Sequence, residues 1–234
     1  MTLIIAVRYR DGIIVASDSQ ASDFQARIRQ TTEDKILELS SHIVWGLSGP
    51  VGLQQKIGVP LKELAASEWQ HQRLIDFRPK LVRVVAKLQK EAMEQYVPIP
   101  QSLPPRAELL FCGFTRGEPW ILEVDETGQD QEHTDEGFCP IGSGKKAAHH
   151  VSFTLAHYEV VSQGLELAKL VAYRIMEDAI RVEVLGVGFP IRMWVVDNQG
   201  GCAVASPEVD HVGQLVSEWR RRERSTLGGP PSTE

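Results

Sequence analysis

Thr2 is the residue with most chemistry in its position. An initiator methionine is normally trimmed when the next residue is small, and threonine is small enough. Trimming would leave a hydroxyl and a free α-amine on one residue. An α-amino group titrates at about 7.7–8.0, far below lysine, so near neutral pH it can accept a proton. Thr2 would then supply both nucleophile and base. A threonine behind a start codon is commonplace by itself, so its weight comes from what stands downstream.

The other reactive residue types each have an ordinary reading as well. Ser143 between Gly142 and Gly144 reads as a helix N-cap. Because Lys145 follows Gly144, a phosphate loop is also conceivable, but the first glycine of G-x-x-x-x-G-K-[ST] would fall on Cys139, and residue 146 is lysine. His149, His150 and His157 share a helical stretch, yet their spacings miss i, i+4, which argues against a metal site. Cys112, Cys139 and Cys202 are odd in number and widely spaced. They fit neither a disulfide framework nor a zinc site and read as free thiols in a reducing cytoplasm. Alone, Asp18 reads as a turn residue behind a strand and Lys35 as a solvated strand end.

The elements that must carry these residues follow from hydrophobic pattern. Leu3 to Tyr9 and Ile13 to Ala16 are apolar runs around an Asp11-Gly12 turn signal, which makes a β-hairpin. A buried strand opening at residue two leaves no room for a signal peptide and pins the N-terminus. Ser19 to Glu33 reads as a loop, with or without a short strand. Lys35 to Leu39 and His42 to Leu47 are further strands. Val51 to Gln72 is helical but broken near Gly58-Val59-Pro60, and a second helix starts near Pro79. Its core stripe is Leu81, Val84, Val85, Leu88, Ala92 and Tyr96. The Pro-rich stretch Val97 to Arg106 ends it. Strands resume over Glu108 to Thr115 and Trp120 to Val124, then an acidic, turn-rich segment runs from Asp125 to Gly137. A short extended piece, Phe138 to Ile141, leads into helices over Lys145 to Tyr158 and Gly164 to about Arg181. Strands over Ile191 to Val196 and Cys202 to Ala205 precede a last helix, Val209 to about Arg224.

Strands grouped between helix pairs predict an α+β fold: a four-layer αββα sandwich of two mainly antiparallel sheets. The 234 residues, 42% hydrophobic, suffice for one large domain over residues 1–224, with residues 225–234 a disordered Gly/Pro/Ser tail. A net charge of −6 argues against a general nucleic-acid binder. No apolar stretch approaches the roughly 20 residues needed to span a bilayer, so a membrane partner is not expected.

The order of motifs resembles the proteasome β-subunit family of N-terminal-nucleophile threonine hydrolases, over roughly Thr2 to Arg222. Thr2 matches the catalytic threonine, and Asp11-Gly12-Ile13-Ile14-Val15-Ala16-Ser17-Asp18 matches the family's DGVVLAAD-like block. Ser22 falls where the family has a threonine whose backbone pairs with an extended substrate. Lys35-Ile36 matches the lysine opening the next strand. Gly46-Leu47-Ser48-Gly49 matches the stretch whose glycine amide lines the oxyanion hole, and Gly142-Ser143-Gly144 matches the family's Gly-Ser-Gly. One departure stands out. The family carries an Asp, then a Ser, before the strand that is here Ile191 to Val196; Asp178 could fill the Asp role with an insertion behind it, and Val187 stands near the place of the Ser.

The resemblance implies roles. Thr2 Oγ attacks a carbonyl, Lys35 lowers the pKa of hydroxyl and amine, Asp18 holds Lys35, Ser143 bonds the Thr2 amine, and the Gly49 N–H donates to the oxyanion. It implies a cytoplasmic, self-compartmentalising threonine-type endopeptidase of the simpler bacterial branch, with no cofactor. The subunits would form stacked homo-oligomeric rings whose polypeptide substrate is fed by an ATPase unfoldase ring. Two alternatives keep the fold: an amidase or acyltransferase on small amides, and a ring-forming scaffold like the proteasome's α-subunits. Those subunits carry a helical extension ahead of the first strand, where this sequence opens on strand residues.

Overall fold

A computed structural model describes residues 2–22, 28–30, 34–65, 69–97, 104–182 and 187–226. The N-terminal hairpin forms as its pattern requires: β1 (Ile4–Tyr9) pairs antiparallel with β2 (Gly12–Ser17), and Tyr9 stands opposite Gly12. The turn itself is Arg10-Asp11, one residue earlier than the Asp11-Gly12 signal suggests. Two very short strands follow, β3 (Ala21–Ser22) and β4 (Ile28–Gln30), paired only with each other. Next come β5 (Ile36–Ser40), β6 (Ile43–Ser48), α1 (Val51–Ala65), α2 (Leu74–Glu94), β7 (Glu108–Thr115), β8 (Glu118–Val124), β9 (Asp130–Glu132) and β10 (Phe138–Ile141). The chain continues through α3 (Lys145–Val151), α4 (Phe153–His157), α5 (Leu165–Val182), β11 (Arg192–Asp197), β12 (Gly200–Ala203) and α6 (Ser206–Thr226).

The strands build two five-stranded antiparallel sheets, in the orders β10-β1-β2-β11-β12 and β5-β6-β7-β8-β9. Strand alternation shows how they stack. Leu3, Ile5 and Val7 pack under α3, α5 and α6, whereas Ile4 and Ala6 point the other way, into a core shared with Leu110, Cys112 and Ile121 of the second sheet. In β7, Leu109 and Phe111 pack beneath α1 and α2. Both faces of the central strands are therefore buried, which is why they read as continuous apolar runs. Burying each such side chain contributes roughly 1.5–3 kcal/mol. The four-layer αββα sandwich of two antiparallel sheets is the architecture that the sequence predicts.

Local boundaries differ where tertiary contacts outweigh a breaker. Helix α1 runs straight through Pro60, because Leu53, Ile57, Leu61 and Ala65 form a buried stripe against the second sheet. Helix α2 starts at Leu74, five residues ahead of Pro79. The start signal there is Asp76, whose carboxylate accepts the Arg73 N–H at 3.1 Å. Trp69 and Phe77, stacked at 4.7 Å, fasten that start to the core, with Trp120 edge-on to Phe77. The helix expected over Lys145 to Tyr158 is two short ones, and the last helix begins three residues early, at Ser206, and ends at Thr226. Strand β9 lies inside the segment read as acidic turns. Of residues 225–234, read as a tail, Ser225 and Thr226 belong to the last helix, and residues 227–234 lie outside the described residues.

Candidate active site

The hairpin register brings the start of the chain against the end of β2. Ile4 stands opposite Ser17, so Leu3 meets Asp18. The Asp18 N–H donates to the Leu3 carbonyl at 3.1 Å, and Asp18 Oδ1 accepts the Leu3 N–H at 2.8 Å. Thr2, 7% exposed, is thereby held beside the Asp18 carboxylate.

Lys35 enters from just ahead of β5, on the second sheet. Its Nζ donates to Asp18 Oδ1 at 2.7 Å and to the Gln20 carbonyl at 2.7 Å. The other carboxylate oxygen, Oδ2, accepts the N–H groups of Gln20 at 3.1 Å and Gly188 at 3.2 Å. Asp18 is fully buried and Lys35 nearly so. Taking such a pair out of water costs several kcal/mol per ion, which only good geometry and further hydrogen bonds offset. Here both carboxylate oxygens carry two donors each. One oxygen serves both Lys35 and the Leu3 N–H, so a fixed ammonium stands two hydrogen bonds from the peptide that follows Thr2.

The opposite wall is the link from β10 to α3. The Thr2 N–H donates to Ser143 Oγ at 3.2 Å, and that hydroxyl lies 3.3 Å from the Thr2 carbonyl, which it can donate to. The Gly144 N–H reaches the same carbonyl at 3.4 Å. Gly142 has φ +95°, and a Cβ there would stand 2.2 Å from the Thr2 carbonyl oxygen and 2.9 Å from Ser48 Oγ. Only glycine fits so close an approach. The link is anchored from the second sheet: Glu108, opposite Ser48 in β7, accepts the Gly142 N–H at 2.6 Å and also pairs with Lys145, raising the lysine's pKa.

Of the residues singled out from sequence, Thr2, Asp18, Lys35 and Ser143 come together. Gly49 caps β6 one residue past Ser48, exposed at the same end of the sheet. A Cβ on it would stand 2.8 Å from Ala107 Cβ and from the Arg106 carbonyl, so chain packing alone demands a glycine there. Ser22 sits on β3, whose backbone pairs with Ile28 of β4. Asp178 lies apart from the other four. It faces α6 from α5, bonded to Arg220 at 2.6 Å with Arg174 3.8 Å away. Burial raises its carboxyl pKa against the opposing pull of both arginines. Helical phase explains this: the sheet-facing stripe is Ile175, Met176 and Ala179, and residue 178 turns toward the neighbouring helix. Sequence reasoning missed Glu108, Gln20 and Gly188. The first acts through cross-strand register and the others through main-chain groups, which leave no residue-type signal.

The family model described as "Proteasome subunit" matches residues 2–188. The chain belongs to the proteasome subunit family. This proteasome subunit is 24% identical over 190 residues to the proteasome subunit alpha of Halobacterium salinarum, covering 80% of this chain and 71% of the relative. It is 25% identical over 146 residues to the proteasome subunit alpha of Methanoculleus marisnigri, covering 62% and 57%. The family match ends at Gly188, whose N–H donates to the Asp18 carboxylate. Both relatives carry the α name, whereas the motifs resemble the β branch. No helix among the described residues is long and apolar enough to cross a membrane.

Proposed function

We propose that this proteasome subunit is catalytic: a threonine-type endopeptidase, one proteasome-like unit over residues 1–224, that assembles as stacked rings and cleaves unfolded polypeptide through Thr2. The observation that carries the reading is the buried Lys35–Asp18 pair, held by main-chain donors beside residue 2. A pair so costly to bury, placed beside residue 2, favours a role in the chemistry of that residue.

Removal of Met1 converts the Thr2 nitrogen to a free amine within reach of Ser143 Oγ. The Lys35 ammonium lowers the pKa of that amine and of the Thr2 hydroxyl. The amine takes the hydroxyl proton as Oγ attacks the scissile carbonyl, and the Gly49 N–H receives the developing oxyanion. The tetrahedral intermediate collapses with loss of the leaving amine, which takes the proton. Water then attacks the Thr2 ester, releasing the acid and regenerating the hydroxyl. Ser22, on β3, offers main-chain groups to an extended substrate. The chemistry asks for no cofactor. A ring chamber in the cytoplasm would keep folded proteins from the site, and an ATPase ring would thread substrates in. Asp178 has no part in this scheme.

The α names of the relatives favour a second reading, a ring-forming scaffold with Met1 retained. An intact-mass spectrum and an epoxyketone, which bonds to both the amine and the hydroxyl of an N-terminal threonine, separate the two. The catalytic reading expects loss of one methionine, an adduct on the first peptide, and turnover that Thr2→Ala abolishes without loss of folding. Retained Met1 with no adduct would establish the scaffold. Cleavage confined to small amides would redirect the reading to an amidase or acyltransferase.

A further inference from the structure

Three side chains with metal-ligating atoms converge away from Thr2. Glu123 comes from β8, His133 from just behind β9 and Cys139 from β10. His133 Nε2 is 2.9 Å from Glu123 Oε2, and Cys139 Sγ is 3.8 Å from the same oxygen. All three ligand atoms lie within 4.8 Å of one another. Cys139 is fully buried, while the His133 and Glu123 side chains are 16% and 19% exposed. We propose that Glu123, His133 and Cys139 form a zinc site with water as the fourth ligand.

The donor set and the spacing both favour zinc. Thiolate, imidazole and carboxylate are its protein ligands, and a thiolate beside an imidazole disfavours the hard cations that take oxygen alone. Tetrahedral zinc with bonds of about 2.0–2.3 Å places its ligand atoms roughly 3.3–3.6 Å apart. The observed separations need adjustments of about 1 Å. One thiolate and one carboxylate neutralise a divalent ion, so the loaded centre carries no net charge into this largely buried place. On binding, the Cys139 sulfur gives its proton to solvent as the metal–sulfur bond forms, and His133 exchanges its hydrogen bond to Glu123 for the metal. Of the three ligands, His133 lines a surface cleft of about 760 Å³ together with Arg8, Glu136, Phe138 and His149, so solvent reaches the site from the imidazole side. The ion would also join the two sheets, since β8 belongs to one and β10 to the other.

Cysteine counting alone did not reveal this. Cys139 pairs with no other cysteine, and its partners lie 16 and 6 residues away with different side chains. The test uses the full-length protein, stripped with a chelator and titrated with Co²⁺, then Zn²⁺. The expected result is one Co²⁺ per chain, intense visible bands of a tetrahedral ion, a thiolate-to-cobalt charge-transfer band, and displacement of both by Zn²⁺ with a rise in Tm. Cys139→Ser should abolish the charge-transfer band, and His133→Gln and Glu123→Gln should each weaken binding at least tenfold. Cys202→Ser and Thr2→Ala should leave the titration unchanged. Should Cys139→Ser fail to fold, the variants of the two less buried ligands, His133 and Glu123, decide the matter. A wild-type titration without a charge-transfer band, or affinity unmoved by His133→Gln and Glu123→Gln, would reduce the cluster to an interstrand hydrogen bond with a thiol nearby.

Discussion

A carboxylate out of reach of water must find its partners in the protein, and Asp18 has four donors. Three are main-chain N–H groups and one is the Lys35 ammonium, which fixes the sign of two substitutions. Asp18→Leu strips the buried ammonium of its counter-ion and should cost about 3–5 kcal/mol. Lys35→Met leaves the carboxylate its three main-chain donors and should cost less. Urea unfolding of both variants gives the comparison, and equal losses would show that the main-chain donors contribute nothing. Under the catalytic reading both variants also lose turnover. At this scale the sequence was informative wherever a short motif fixed a residue's neighbours. Thr2, Asp18, Lys35 and Ser143 were legible because each sits at a strand or helix boundary, where spacing determines position. Asp178 was misleading for the opposite reason. In mid-helix a shift of one residue turns a side chain by about 100°, and there it found Arg220 instead.

The link between β10 and α3 shows what an element boundary contributes. Gly142→Ala would force a side chain into left-handed backbone, at roughly 1–2 kcal/mol, and drive its Cβ into the Thr2 carbonyl. Under the catalytic reading the expected outcome is a fall in Tm and a much larger fall in kcat, since displacing residue 2 harms the chemistry more than the fold. A Tm loss with kcat intact would separate that glycine from the site. Elements with long apolar patterns were legible: β1, β2, β7 and α5 follow their periodicity. Pro60 and Pro79 misled because a proline weakens a helix by about 3 kcal/mol, an amount that the stripes Leu53/Ile57/Leu61 and Phe77/Leu81/Val85 can offset by burial. Strand β9 was illegible because Asp130-Gln131-Glu132 is polar throughout and is a strand only through pairing with β8.

For the whole molecule, the two sheets share one inner core, and their ends meet at Thr2, Ser48 and Gly142. Stability at high pH reports on the helical side of the first sheet. Burial, with Asp197 and Asp11 nearby, pushes the Tyr9 pKa from 10.0 to about 12. The unfolded chain therefore releases this proton first. The contribution of Tyr9 is complete below pH 10 and is lost as pH rises to about 12. Tyr9→Phe should flatten that part of the stability profile, measured by denaturant midpoints across this range; an unchanged slope would assign alkaline loss to other groups. The clamp on Leu3 has a practical consequence as well. Asp18 grips that residue by both its N–H and its carbonyl, so a purification tag fused ahead of Thr2 would leave the fold intact while keeping the Thr2 nitrogen locked in a peptide. Under the catalytic reading, assays for turnover need the handle at the other terminus.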